Sequence, residues 1–230
     1  MKYLFSWLLV CLALPTHAQN AQVFAKSDLP TFYVNCTQEM FFILPEKLAG
    51  KSWTYSSDNG TVKLQTHRAD FDILQIVPYK AGKGIITATS GTTTETAVFE
   101  VVKIPSPVAI LADSLGREVN IMNPLSISKV KQVILQPDPF FAKVLPNEAK
   151  YEVESISATV FRGGKSVGNL QNRNQYFQFE TLKDADGKKN IITPGDAVQV
   201  TVANVKRLTP QGTRESVYIK QPYMAFFVKE

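Results

Sequence analysis

Between residues 28 and 103, apolar side chains recur at every second position in short runs, and each run ends at turn-forming residues. A period of two puts those side chains on one face of an extended strand, and no stretch in this span keeps the three-to-four spacing of an amphipathic helix. The strands predicted are 31–36, 40–44, 51–56, 61–66, 71–77, 83–89 and 94–103. Asp58-Asn59-Gly60 and Ala81-Gly82-Lys83-Gly84 are reversals, because Asn and Gly tolerate the positive φ of a tight turn. Seven short strands, each with one apolar face, bury those faces against one another as an immunoglobulin-like β-sandwich.

Ile104-Pro105-Ser106-Pro107 follows, where two prolines remove backbone donors and stiffen the chain. The division expected is a first sandwich over 19–104 and a second β-sandwich over 108–230, an all-β tandem. Strands in the second unit are expected at 108–112, 131–135, 151–161, 176–180, 197–205, 215–219 and 223–229. Val198, Val200 and Val202 share one face, while Gln199 and Thr201 take the wet side. Apolar parity shifts between Val153 and the set Ile156, Ala158 and Val160, which predicts a bulge or a strand that bends between sheets.

Residues 1–18 read as a cleavable signal peptide: Lys2 supplies the positive start, an apolar run of about 11 residues follows, and Thr16-His17-Ala18 resembles a cleavage site. The run is short against the roughly 20 residues of a spanning helix, so no membrane span is expected after cleavage. Cys11 as a lipid acceptor is disfavoured by the apolar run that continues past it. Cleavage leaves about 212 residues and one residue each of cysteine and histidine, Cys36 and His67, so no intrachain disulfide is expected. Cys36, in an apolar run, reads as a buried small hydrophobe.

The inventory for catalysis is thin. A Ser-His-Asp relay would have to use His67, and there is no Gly-x-Ser-x-Gly elbow. Asp70 with Asp72, and Glu152 with Glu154, lie two apart on predicted strands and read as solvated charges. Arg162-Gly163-Gly164-Lys165-Ser166 lacks the first glycine of a phosphate loop and reads as a hairpin, and Asp184-Ala185-Asp186-Gly187 reads as a polar turn rather than a calcium loop. The basic doublets Lys188-Lys189 and Lys206-Arg207 read as solvated faces, with no nucleic-acid partner expected. No catalytic, cofactor or metal residue is assigned. The candidate protein interface comprises Pro139, Phe140 and Phe141, the two rings following Pro137 and Pro139, together with Asn172 and Arg173 in the polar 169–175 loop. The 223–227 run reads as a final core strand.

The order of these pieces resembles the periplasmic C-terminal region of the GldM/PorM family of gliding motility and type IX secretion in Bacteroidota. The features that carry the resemblance are the strand closing on Ile104-Pro105-Ser106-Pro107-Val108-Ala109, the 151–161 strand with Gly163-Gly164, and the tail Thr193-Pro194-Gly195-Asp196 followed by Thr209-Pro210-Gln211-Gly212-Thr213-Arg214. Gln211 stands where the family usually has Asp. The resemblance implies a non-catalytic, periplasmic protein-binding or structural accessory, with envelope proteins of the secretion or gliding complex as partners; a homodimer is the other partner expected. The signal in place of a membrane helix departs from the family plan. The alternatives are a secreted carbohydrate-binding module using Trp53 and Tyr55, or a small periplasmic hydrolase.

Overall fold

The computed structural model describes residues 21–25, 31–44, 51–182, 187 and 192–229. The expected signal peptide and the 184–186 and 188–190 turn residues lie outside them.

The first unit is built from β1 (Gln22–Ala25), β2 (Phe32–Tyr33), β3 (Gln38–Ile43), β4 (Thr54–Ser57), β5 (Gly60–His67), β6 (Phe71–Pro78), β7 (Gly82–Ser90) and β8 (Thr93–Val102). One sheet has the order β1-β3-β6-β5 and the other β2-β8-β7-β4, with β2 parallel to β8. Read in chain order, the strands form an A-B-E-D sheet facing a G-F-C sheet, which is the immunoglobulin arrangement. Strict alternation in β6 and β8 turns Leu74, Ile76, Ala97, Phe99 and Val101 inward, where they meet Met40, Phe42, Ile86 and Ala88. Asn59, fixed by bonds to the carbonyl and amide of Lys80, anchors the predicted Asn-Gly reversal. Gly60 follows at φ +153, where an added Cβ would run into the Val77 carbonyl.

The second unit contains β9 (Val108–Ala112), β10 (Gln132–Gln136), α1 (Pro139–Val144), β11 (Lys150–Arg162), β12 (Lys165–Asn172), β13 (Ala197–Leu208), β14 (Arg214–Ser216) and β15 (Tyr223–Phe227). Its main sheet runs β12-β11-β13, and β13 is continued along its other edge by β14 and then β15. The β9–β10 hairpin contributes Leu111 and Val133 to a core with Ile156, Val200 and Phe226.

Three departures from the sequence reading concern β11, β12 and the 176–180 segment. β12 occupies residues assigned to a hairpin and a polar loop, because backbone pairing to β11 needs no apolar pattern in an edge strand. The expected 176–180 strand is a single bridge from Tyr176 to Gln132 followed by a 3-10 turn over Phe179–Thr181. The parity shift after Val153 is neither a bulge nor a change of sheet. Val153 pairs with Val205 and Ile156 with Val202, so both strands switch faces together, and Asn204 takes φ +54 at the switch.

Candidate functional site

Beyond that paired switch, the end of β13 buries Val205 in the second unit's core and brings Arg207 against the first unit. Arg207 is completely buried. Its Nη1 donates to the Glu148 carboxylate and approaches Cys36 Sγ at 3.5 Å, and its Nη2 donates to the Asn35 carbonyl at 2.8 Å and to Glu215 at 2.6 Å. Glu148, itself buried, also accepts from the Thr37 amide at 2.7 Å, and Gln211 Nε2 donates to the Thr37 hydroxyl. The guanidinium fork thereby ties the 35–37 loop of the first unit to three segments of the second. Asn35 holds that loop at φ +54, and its amide donates to Pro78.

An apolar cluster surrounds this ion pair. Tyr33 meets Phe141 edge-on with ring centroids 4.9 Å apart, and Cys36, Val102, Ile104 and Leu145 pack beside them. Burial pushes the Cys36 thiol up to about 12 despite the opposing Arg207 charge. Burial likewise raises the Tyr151 phenol to about 12. Arg207 had read as half of a solvated doublet, but neighbours on a strand face opposite ways: Lys206 reaches Ser216 while Arg207 goes inward.

The candidate interface at 139–141 divides. Asp138 caps α1 by accepting from the Phe141 amide at 2.9 Å, and Pro139 opens the helix. Successive helical residues point about 100° apart, so Phe140 is half exposed whereas Phe141 is wholly buried at the joint. Phe141 is therefore a packing residue between the two units, and the Asp-Pro pair was the signal for it. Asn172 donates to the Tyr176 carbonyl, which closes the end of β12. Arg173 is exposed beside an open cleft of about 530 Å³ with Glu152, Glu154 and Arg214, where Arg214 pairs with Glu152 at 3.2 Å.

Trp53 and Tyr55 are not an exposed pair. Trp53 is buried in the first core, and Tyr55 is half buried with its ring edge-on to Phe42. The Tyr55 hydroxyl crosses between sheets to donate to Asp72, and His67 Nδ1 lies 2.6 Å from the other oxygen of the same carboxylate. Asp72 is buried, so it is no solvated partner of the exposed Asp70. This Tyr-Asp-His group joins the two sheets. Burial, followed by the Asp72 hydrogen bond and charge, raises the Tyr55 phenol beyond the ordinary tyrosine range.

Arg162 forks onto Asp196 with two bonds of 2.8 Å, and the Thr193 amide adds a third. The guanidinium hydrogen bond holds Asp196 below the usual carboxylate range. Among the described residues, no group of three or more His, Cys, Asp and Glu is placed to hold a metal ion, and no helix is long and apolar enough to cross a membrane.

No family model and no curated protein matches the chain. Solved structures similar to it include the Yersinia pseudotuberculosis adhesin InvE, at 12% identity and TM-score 0.31 over 90% of this chain and 58% of that one, so this chain spans little more than half of the adhesin's length. Domains 5-6 of the S-layer protein SbsC align at 12% identity and TM-score 0.28 over 90% and 96% of the two chains. A titin Ig tandem aligns at 10% and 0.24 over 91% and 96%.

Proposed function

We propose that the chain is an exported, non-catalytic binding or structural module of the cell envelope, in which two β-sandwiches act as one body. The observation that supports this reading is the use of four of the five buried charged residues among those described: Arg207, Glu148, Asp72 and Asp196 each bond to backbone or to a structural partner and each join segments distant in sequence. A fork at Arg207 combined with the apolar packing of Phe141 on Tyr33 fixes one sandwich against the other, which suits a part that presents surfaces at a set angle. Export rests on the leader-like residues 1–18, and a periplasmic or surface partner of the secretion or gliding kind rests on the family resemblance.

The test is affinity capture from envelope extracts with the full chain as bait and mass spectrometry of what is retained. Recovery of secretion or motility components is the expected result. Recovery of none of them overturns that choice of partner.

A further inference from the structure

The outer face of the β12-β11-β13-β15 sheet has an unusual chemistry. Over 155–161 of β11, 197–203 of β13, 169–171 of β12 and 223–227 of β15, every outward position is uncharged, although 20% of the chain is Asp, Glu, Lys or Arg. The inward positions of the same stretches are Val, Ile, Ala, Leu, Met and Phe, as a core requires. The outward ones are hydroxyls, amides, alanines and three aromatic rings.

Register fixes how they lie. Phe227, Ala197 and Phe161 form one cross-strand row, so two rings about 10 Å apart flank a small alanine. Tyr223 stands four residues along β15 from Phe227, about 13 Å away, and these two rings are 57% and 60% exposed. Between the rings lie Ala197, Ala225 and Gln199, with Thr201 and Thr159 next to Gln199, and the side chains of Gln199, Thr201 and Thr159 make no hydrogen bond to one another or to other groups among the described residues. A protein-docking patch has an apolar centre and a polar rim. Here an unpaired amide, Gln199, sits among the three rings with hydroxyls beside it.

We propose that this face binds a neutral polysaccharide, with sugar rings stacked on Tyr223 and Phe227 and their hydroxyls bonded to Gln199, Thr201 and Thr159. A pyranose offers an apolar C–H face to an aromatic ring and a girdle of hydroxyls that donate and accept, so the amide and hydroxyl groups match it while charged ligands find no counter-charge. The assignment deepens the binding role proposed above and rests on it. It places the glycan site on the second sandwich, far along the chain from Trp53 and Tyr55.

The test is affinity electrophoresis of the full chain through gels containing dextran, hydroxyethyl cellulose, starch or galactomannan, with carboxymethyl cellulose and heparin as charged controls. Retardation is expected in at least one neutral gel and should persist in high salt, since no ion pair is involved. The double substitution Tyr223→Ala with Phe227→Ala should weaken it at least about tenfold, and Gln199→Ala several-fold, with circular dichroism and melting unchanged. Absence of retardation in every neutral gel overturns the proposal, as does retardation that survives loss of both rings or disappears in salt. Sedimentation supplies the other arm: a dimer abolished by the double substitution would make a second copy the occupant and overturn the glycan assignment. Envelope capture is unaffected by any of these outcomes, so failure of the glycan site and failure of the envelope role remain distinguishable.

Discussion

Arg207 Nη2 donates to the carbonyl oxygen of Asn35 at 2.8 Å across 172 positions of chain. The two sandwiches are therefore joined by a side chain as well as by the proline segment between them, and the same joint carries the Thr37–Glu148 and Gln211–Thr37 bonds and the packing of Tyr33 on Phe141.

Arg207→Met leaves Glu148 buried without its cation, and loss of one member of a buried ion pair costs about 3–5 kcal/mol. Urea denaturation should show that loss and split one coupled transition into two. Arg207→Lys keeps the charge but not the fork, so it should fall between Met and wild type.

Cys36 reports on the same joint. Its folded thiol is raised to about 12, against about 8.5 in an unfolded chain. This contribution to stability is complete below the unfolded value and drains away as pH rises from there toward 12. At mildly alkaline pH the folded protein should leave Cys36 unreactive toward a thiol reagent. Denaturant should release one further thiol, absent in Cys36→Ser. Rapid native-state labelling at Cys36 would show the joint to be open.

Asp196 shifts the other way. Because Arg162 and Thr193 hold it below its ordinary value of about 3.9, it stabilises the fold fully above that value, and the contribution is lost as pH falls through the depressed one. Denaturation midpoints measured toward low pH should fall less steeply in Asp196→Asn, whose amide cannot titrate.

Tyr55→Phe removes a hydrogen bond that spans the two sheets of the first sandwich and ends on a buried carboxylate. The expected cost is about 1.5–3 kcal/mol in chemical denaturation. Substituting Tyr79, an exposed tyrosine on the same unit, should change the midpoint little.

The fold was legible where burial and periodicity coincide. β9 falls at the residues expected for it, and Val198, Val200 and Val202 face inward with Gln199 and Thr201 on the other side as their alternation requires. β12 escaped because Asn169, Gln171 and Asn172 resemble a loop, and only pairing with β11 makes them a strand. Arg207 escaped for a different reason. Local sequence shows a basic doublet, whereas the partners that draw Arg207 inward stand at 35, 148 and 215, and no window short enough to show a pattern contains them. In the sequence Phe141 is indistinguishable from its neighbour Phe140, and the helix that turns the two apart is only six residues long.

The joint also imposes an order of assembly. The 35–37 loop is made early, yet the groups that close over it are supplied by Glu148, Arg207, Gln211 and Glu215, the last of which lies 15 residues before the final Glu230. The first sandwich can gather its own core while the chain is still emerging, but it must wait with Asn35, Cys36 and Thr37 uncovered until Arg207, Gln211 and Glu215 have arrived. Contacts so distant in sequence are the slow ones to form. A chain truncated anywhere before position 207 is left with its first half unsealed.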